Sequence, residues 1–315
     1  RLGWPVPALP DPWELLAPLK PLVADADVVL INVEGAIGEG SAPPKCRPGS
    51  TRCYAFRQPP ETAQALRELA PHASVVGNVA NNHALDAGVA GWSTTSGHLE
   101  AVGAYVTGMD TLATLVPVRG ALDTVAVLGF STSQAGPDPR DLAAVRRHVE
   151  RAATRTPRVV VTMHMGAEGV DAQRTANAAE RYLGEARGNV VAFAHAAVEA
   201  GASLVVGHGP HVLRAAERRD GAVVFYSLGN LLTYGPFSHR EPLNRGAIAC
   251  VSIDPSGTAT DVVLRPTVQA APGRVSPDRQ ARGVWLVDSL SHLDFPATAL
   301  RFSIQAVSRP PDLTQ

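Results

Sequence analysis

From Asp27 to Val33 the chain reads Asp-Val-Val-Leu-Ile-Asn-Val, a largely β-branched run in which polar and apolar residues do not alternate. A strand with one face in water alternates; a strand covered on both faces stays apolar, and such strands belong to sheets with helices packed on them. The run therefore selects an α/β fold. Ala73 to Gly77, residues 104–107 and 124–130, Arg158 to Met163 and Ser203 to Val206 read as further strands. Between them fall helix-like segments: Glu61 to Leu69 behind Pro59 and Pro60, Leu85 to Val102 with Gly91 and Gly97 inside it, Pro139 to Ala153, and Val190 to Ala200. Gly201 supplies the expected C-terminal stop of the last.

After residue 211 the texture changes. Val212 to Ala216, Val223 to Ser227, Ala247 to Ile253 and Thr258 to Leu264 are short runs divided by turn signals such as Arg219-Asp220-Gly221 and Asp254-Pro255-Ser256-Gly257. That is the pattern of antiparallel strands, so the sheet is expected to be mixed. One more helix is expected near 278–292, before a polar tail over 308–315. No internal repeat or long linker divides the 315 residues, which are enough to bury a sizeable core as one domain.

Composition excludes some partners. Lys and Arg number 28 against 29 Asp and Glu, for a formal net charge of -1, so no global field recruits nucleic acid or an anionic membrane. Any phosphate or carboxylate partner must be captured locally. No apolar stretch approaches the roughly 18 residues of a membrane span. The chain begins at Arg1 with no visible signal peptide. Cys46 and Cys53 flank a Pro/Gly/Ser-rich loop at a spacing compatible with a local disulfide, which points to an oxidising, extracytoplasmic or cell-surface location; two free loop thiols are the alternative. Cys250 reads as a buried thiol without a role.

Four strand-like runs stop at residues able to ligate. Gly-His-Gly-Pro-His at 207–211 delivers His208 and His211 together directly after Ser203 to Val206, at the kind of strand end where α/β sheets put their chemistry. Asn32-Val33-Glu34-Gly35 closes the first run, Asn81-Asn82-His83 with Asp86 follows the second, and His164-Met165-Gly166-Ala167-Glu168 follows Arg158 to Met163. Each has a plain structural reading: a polar surface loop, a turn cap for Glu34, a helix N-cap for the Asn pair, a satisfied core histidine for His164. If a helix opens at Asn81, His83 and Asp86 share a face, and the carboxylate can orient the imidazole. Convergence at one sheet edge would explain all four together. Oxygen and imidazole donors without a thiolate suit one or two divalent ions such as Mn, Zn or Fe rather than a closed structural zinc. His72, His98, His148, His195, His239 and His292 lack such company and read as core or surface residues.

As a set, Asn-Val-Glu-Gly (32–35), Ala-Asn-Asn-His-x-x-Asp-x-Gly (80–88), His-Met-Gly-x-Glu (164–168), Gly-His-Gly-Pro-His-Val (207–212) and Tyr-Ser-Leu-Gly-Asn (226–230) resemble the CapA family of bacterial capsule and poly-γ-glutamate synthesis proteins, within the calcineurin-like metallophosphoesterase superfamily. The resemblance spans about residues 20–265. It implies a metallophosphoesterase-like sandwich of two mixed β-sheets flanked by helices, with residues 267–315 an appended helix and tail. It implies Glu34, Asn82, His164, His208 and His211 as metal ligands and His83 with Asp86 as the catalytic pair. Asn32, Asn81, Glu168, Tyr226, Ser227 and Asn230 are implied as site support.

The activity implied is attack of metal-activated water on a phosphate ester, with His83 as the acid. The implied substrate is phosphate-containing or related to an anionic polymer, and membrane-bound synthesis partners are implied beside it. A non-catalytic metal-binding component of a polymer synthesis or export assembly stays open, as does a metal-dependent amide hydrolase or transferase. The chain also departs from the family pattern. The opening strand that ends in Gly-Asp has no counterpart before Asp27, so either it lies outside this chain or one metal position is incomplete. Met165 replaces a Trp, and Gly209 stands where a further His is common. Residues 171–188 run longer than the family norm, as a lid or partner surface would.

Overall fold

The apolar runs become strands and the periodic segments become helices across residues 10–39, 53–118, 123–235 and 237–302, which the computed structural model describes. In chain order the strands are β1 (Val28–Asn32), β2 (Ala36–Ile37), β3 (Arg57–Gln58), β4 (Ser74–Asn78), β5 (Tyr105–Thr107), β6 (Thr114–Pro117), β7 (Thr124–Ser131), β8 (Val159–His164), β9 (Glu180–Tyr182), β10 (Glu185–Gly188), β11 (Leu204–His208), β12 (Ala216–Arg219), β13 (Ala222–Phe225), β14 (Arg245–Ile253), β15 (Ala259–Ala270) and β16 (Arg274–Pro277). The helices are α1 (Pro12–Leu16), α2 (Glu61–Arg67), α3 (Gly88–Ala101), α4 (Leu142–Ala153), α5 (Val190–Glu199) and α6 (Arg282–Asp294).

Strands β1, β4 and β5 form a parallel sheet in the order β1-β4-β5. A six-stranded sheet follows the order β12-β13-β11-β8-β7-β6; its four central strands run parallel, and β12 and β6 flank them antiparallel. The two sheets meet through Val76 on one side and Val116, Val125, Val127 and Val160 on the other. Val145 and Val149 of α4 and Phe193 and Ala197 of α5 cover the outer face of the larger sheet at Val161, Met163 and Val205. Ala63 and Leu66 of α2 and Leu99 of α3 cover Val29 and Val75 of the smaller one. Both central strands of these sheets, β4 and β8, are buried at every position, which is why their sequences do not alternate. The class is mixed α/β, but only one of these sheets is mixed. The other is wholly parallel because α2 and α3 supply the crossovers that parallel neighbours need. Strands β14, β15 and β16 make a separate antiparallel sheet.

Element ends follow capping chemistry. Helix α4 opens at Leu142 rather than Pro139 because the Asp141 side chain accepts the Ala144 N–H at 3.0 Å. Asn189 caps α5 in the same way. Helix α3 opens only at Gly88; residues 81–87 are successive turns, closed by bonds such as Ala84 N–H to Asn81 O and Asp86 N–H to His83 O. Helix α6 opens at Arg282 rather than near 278, because Asp278 is drawn to Arg245 at 2.7 Å and Ala281 is left-handed, with φ 52°. The run Val212 to Ala216 joins a ladder only at its end, where β12 begins. Within 171–188 the chain makes the β9–β10 hairpin, whose two turn residues Leu183 and Gly184 have φ 46° and 86°. Positive φ at both positions suits the twist of a two-residue hairpin.

Glu217 of β12 ties the far side of the larger sheet together. It is 1% exposed, and its carboxylate accepts hydrogen bonds from the Tyr226 hydroxyl at 2.6 Å and Thr298 Oγ1 at 2.6 Å and meets His195 Nε2 at 2.7 Å. Burial first, and the Glu217 charge second, keep the Tyr226 phenol protonated far above its ordinary range. Replacing Glu217 by Ala should cost about 3–5 kcal/mol, the loss expected when one member of a buried polar network is removed. Thr298→Val, which deletes a single donor, should cost about 1 kcal/mol. Urea unfolding of the two variants checks the ratio.

Candidate functional site

The C-terminal ends of β1, β4, β8 and β11 deliver their polar residues to one edge. Parallel register sets His208 opposite His164 and Asn32 opposite Asn78. Glu34, two residues past β1, stands at the centre. Its Oε1 is 3.8 Å from His164 Nε2, 3.8 Å from His211 Nε2 and 4.0 Å from His83 Nε2. Its Oε2 is 3.4 Å from Asn32 Nδ2, which also lies 3.5 Å from His164 Nδ1. Asn32 is held in turn by the Asn78 amide, whose Nδ2 donates to Asn32 Oδ1 at 3.0 Å.

The Asn-Asn-His turn is pinned to the same edge. Asn81, fully buried, donates from Nδ2 to Val33 O at 2.9 Å and accepts the His83 N–H on Oδ1 at 3.1 Å. Asn82 is half-buried between them in sequence. The turn places His83 Nδ1 2.7 Å from Asp86 Oδ2, and that oxygen also accepts the Phe56 N–H at 2.6 Å. Asp86 is 1% exposed. The Phe56 ring lies against the imidazole, centroids 4.2 Å apart.

His211 sits in the left-handed region at φ 61°, a conformation that non-glycine residues hold only when their surroundings demand it. The demand is visible: Asn230 Oδ1 is 2.9 Å from His211 Nδ1, and Asn230 Nδ2 is itself bound to Leu243 O. His211 Nε2 is 3.8 Å from Glu168 Oε2. Gly209, at φ 111°, passes over His164 so closely that a Cβ there would stand 3.3 Å from His164 Nε2 and 3.2 Å from Met165 O. Thus Glu34, His83, His164, His211, Asp86, Asn32, Asn81, Glu168 and Asn230 form one connected group, with His208 beside His164 in the sheet. Tyr226 and Ser227 do not face this group. The Tyr226 hydroxyl goes to Glu217, and Ser227 accepts the Arg214 and Gly229 N–H groups. Two residues went unnoticed in the sequence. Asn78 closes Ser-Val-Val-Gly-Asn, the same pattern of an apolar run ending in a ligand-type side chain. Arg187, 2.7 Å from Glu168 through Nη1, carries no such signal.

A family model described as bacterial capsule synthesis protein PGA_cap matches residues 5–234, a span that holds every residue of the group. The chain belongs to this family. The PGA biosynthesis protein CapA of Bacillus subtilis is 33% identical over 170 residues, 49% of this chain and 41% of that protein, so the alignment spans about two fifths of the relative's length. A probable polyglutamine synthesis accessory protein of Mycobacterium tuberculosis is 28% identical over 339 aligned positions, 96% of this chain and 80% of its own. The capsule biosynthesis protein CapA of Bacillus anthracis is 29% identical over 194 residues, 55% of this chain and 42% of that one.

The electrostatics of this PGA_cap site favour a neutral His164 and a neutral His208 near one carboxylate. Burial, opposed by the Glu34 charge, lowers His164 to about 3 and His208 to about 4. Burial works against a charged Glu34, yet His164, His211, His83 and His208 together hold its carboxyl below the ordinary range. Neutral imidazole and ionised carboxylate are the forms that ligate metal. Glu34 Oε1, His164 Nε2 and His208 Nε2 are also buried without a hydrogen-bond partner, so no hydrogen bond offsets the desolvation of these atoms. As the side chains stand, no three His, Cys, Asp or Glu among the described residues have closed to cation-holding distance. Ligands about 2.1 Å from one ion lie roughly 3.0–3.6 Å from each other, and Glu34 Oε1 stands a little beyond that, 3.8–4.0 Å from three imidazole nitrogens. The donor set fits a divalent cation.

Both lowered histidines carry a pH signature. Below the unfolded value near 6.5 the unfolded chain binds protons that the folded chain refuses, so stability falls as pH falls, by about 1.4 kcal/mol per pH unit for each imidazole. In chelator, the urea stability should drop between pH 6.5 and 5, above the carboxylate range, and His208→Asn should show a shallower slope. An unchanged slope would contradict the buried, neutral assignment.

Proposed function

We propose that this PGA_cap chain is a metal-dependent phosphoesterase-type protein acting in capsule or poly-γ-glutamate biosynthesis. The observation that carries this reading is Glu34 Oε1 within 4.0 Å of three imidazole nitrogens, at an edge where buried donor atoms lack partners. Glu34, Asn82, His164, His208 and His211 would hold one or two divalent ions, Mn, Zn or Fe by their donor chemistry. When bound, the cation supplies Lewis acidity to a phosphate group and to water.

The remaining chemistry belongs to the chain. Asp86, 2.7 Å from His83 Nδ1, accepts the Nδ1 proton and fixes the ring with Nε2 toward Glu34. In the doubly protonated imidazolium, which the Asp86 carboxylate stabilises, Nε2 carries the transferable proton. His83 thereby donates to the leaving oxygen of the ester. Asn81 fixes the backbone of that acid, and Asn230 fixes the ring of His211. The substrate class is a phosphate ester or an anionic polymer-related molecule, and the partners proposed are membrane-bound synthesis components rather than nucleic acid. Cys53 is disulfide-bonded and Cys250 is a free thiol; Cys46 lies outside the described residues. A disulfide suits an oxidising, extracytoplasmic setting, and among the described residues no helix is long and apolar enough to cross a membrane.

The relatives' names speak of biosynthesis and of an accessory role, which favours a second reading: a metal-binding component of a polymer synthesis or export assembly that does not turn over. Purified protein with added Mn and a generic phosphodiester separates the two. His83→Ala should lower turnover about 10²- to 10⁴-fold with metal content unchanged, and Glu34→Gln should lose metal. Metal uptake without turnover would support the assembly reading. Cleavage of a γ-glutamyl peptide in place of the diester would move the reaction to an amide bond. Turnover by His83→Ala at the wild-type rate would remove His83 from the chemistry.

A further inference from the structure

The hairpin β9–β10 is anchored against the site by buried charge. Glu180 at its base accepts two parallel hydrogen bonds from Arg214, each 2.8 Å, and the Ala167 N–H at 2.6 Å. Arg214 is 1% exposed, and the Gly166 N–H binds Arg187 O at 3.0 Å. The strand that carries Arg187 is therefore fixed to the loop that carries Glu168. Arg187 itself is 7% exposed at its side chain, with its guanidinium 5.5 Å from the centroid of the Tyr182 ring.

Three observations concern what this guanidinium faces. Nη1 is 2.7 Å from Glu168 Oε1, and the other oxygen of Glu168 is 3.8 Å from His211 Nε2, so the cation stands one carboxylate away from the Glu34 cluster. Nη2 meets Glu185 at 3.1 Å, and the Glu185 side chain is 70% exposed. Such an exposed partner is weakly held and exchangeable. Arg187 Nε and Glu168 Oε1 are buried without a hydrogen bond of correct geometry, so the 2.7 Å approach is a charge contact that leaves donor capacity unused. A guanidinium fork with one edge unsatisfied matches a carboxylate or a phosphate.

We propose that Arg187 is the anion-binding residue of this site: its Nε and Nη2 edge takes an oxyanion group of the substrate, and Glu185 is a stand-in that this group displaces. The location relative to the reacting phosphate rests on the metal reading above; the anion site itself does not. It also gives the segment 171–188 a task, since the residue that reads the substrate's charge is carried by the hairpin within it.

Two probes distinguish the sources of such an oxyanion, inorganic phosphate and a γ-linked tri-glutamate, with binding followed by calorimetry both with Mn and in chelator. Arg187→Gln should weaken binding of the preferred probe about 10- to 100-fold, the loss of a charge-assisted pair. Arg187→Lys, which keeps the charge but loses the fork, should fall between. Glu185→Gln should bind more tightly than the parent, because the competitor is gone. That opposite sign is what a merely structural pair would not produce, for then both substitutions would weaken binding. Preference for phosphate or for tri-glutamate assigns the group. Wild-type affinity in the Gln and Lys variants of Arg187, weaker binding by Glu185→Gln, or no binding of either probe to the parent protein in either buffer overturns the proposal. Metal content measured on the same samples is separate: a chain that takes up no Mn overturns the metal reading, while the anion comparison in chelator still decides this one.

Discussion

Parallel register is the constraint on which the site depends. Strands β8 and β11 pair so that His164 and His208 are opposite one another, and β1 and β4 pair so that Asn32 and Asn78 are opposite. In parallel sheets all C-terminal ends lie on the same edge, so residues placed just past apolar runs far apart in sequence arrive together. A slip of one residue would turn His164 and its neighbours to the opposite face. Complete burial of β4 and β8 excludes that slip, because it would exchange close-packed apolar contacts for misfitted ones.

Around that register the chain spends stability on polarity. His164 is buried and His208 half-buried, both in the neutral state, Glu34 is half-buried in the charged state, and one ligating atom of each is buried without a hydrogen bond. Each is costly in isolation. The cost is tolerated because the supports are rigid: Asn78 on Asn32, Asn81 on the end of β1, Asp86 on His83, Asn230 on His211. The left-handed φ of His211 belongs to the same account, a strained backbone retained where the ring must face Glu34 and Glu168.

A second polar layer lies outside the first. Glu180 and Arg214 fasten the hairpin β9–β10 to the loops after β8 and before β12, and Arg187 reaches Glu168 from it. The Glu217 network with Tyr226, His195 and Thr298 is equally buried but belongs to the opposite flank. Its task is to join α5, β12 and the segment after α6. Buried polar groups in this chain thus serve two ends, one structural and one open to a ligand, and the difference is whether their atoms are satisfied.

Much of this was legible in the residues. An apolar run that never alternates must be a covered strand, so the α/β class and most strand positions followed from local pattern alone, and Glu34, His83, His164 and His211 were legible there as ligand-type residues at strand ends. Boundaries slipped where capping chemistry decides, at Asp141 and in the turns before Gly88. Whether the smaller sheet was mixed could not be read, because strand direction depends on the crossovers through α2 and α3. Tyr226 and Ser227 shared a motif with Asn230, yet their hydrogen bonds lie elsewhere, because the chain has left β13 at Phe225 and turns before Asn230. Arg187 was invisible, because its meaning depends on a hairpin folding back onto Glu168 across the fold. Short-range order reports periodicity and caps. Which side chains meet, and which buried atoms are left without a partner, is decided only when the sheets close against each other.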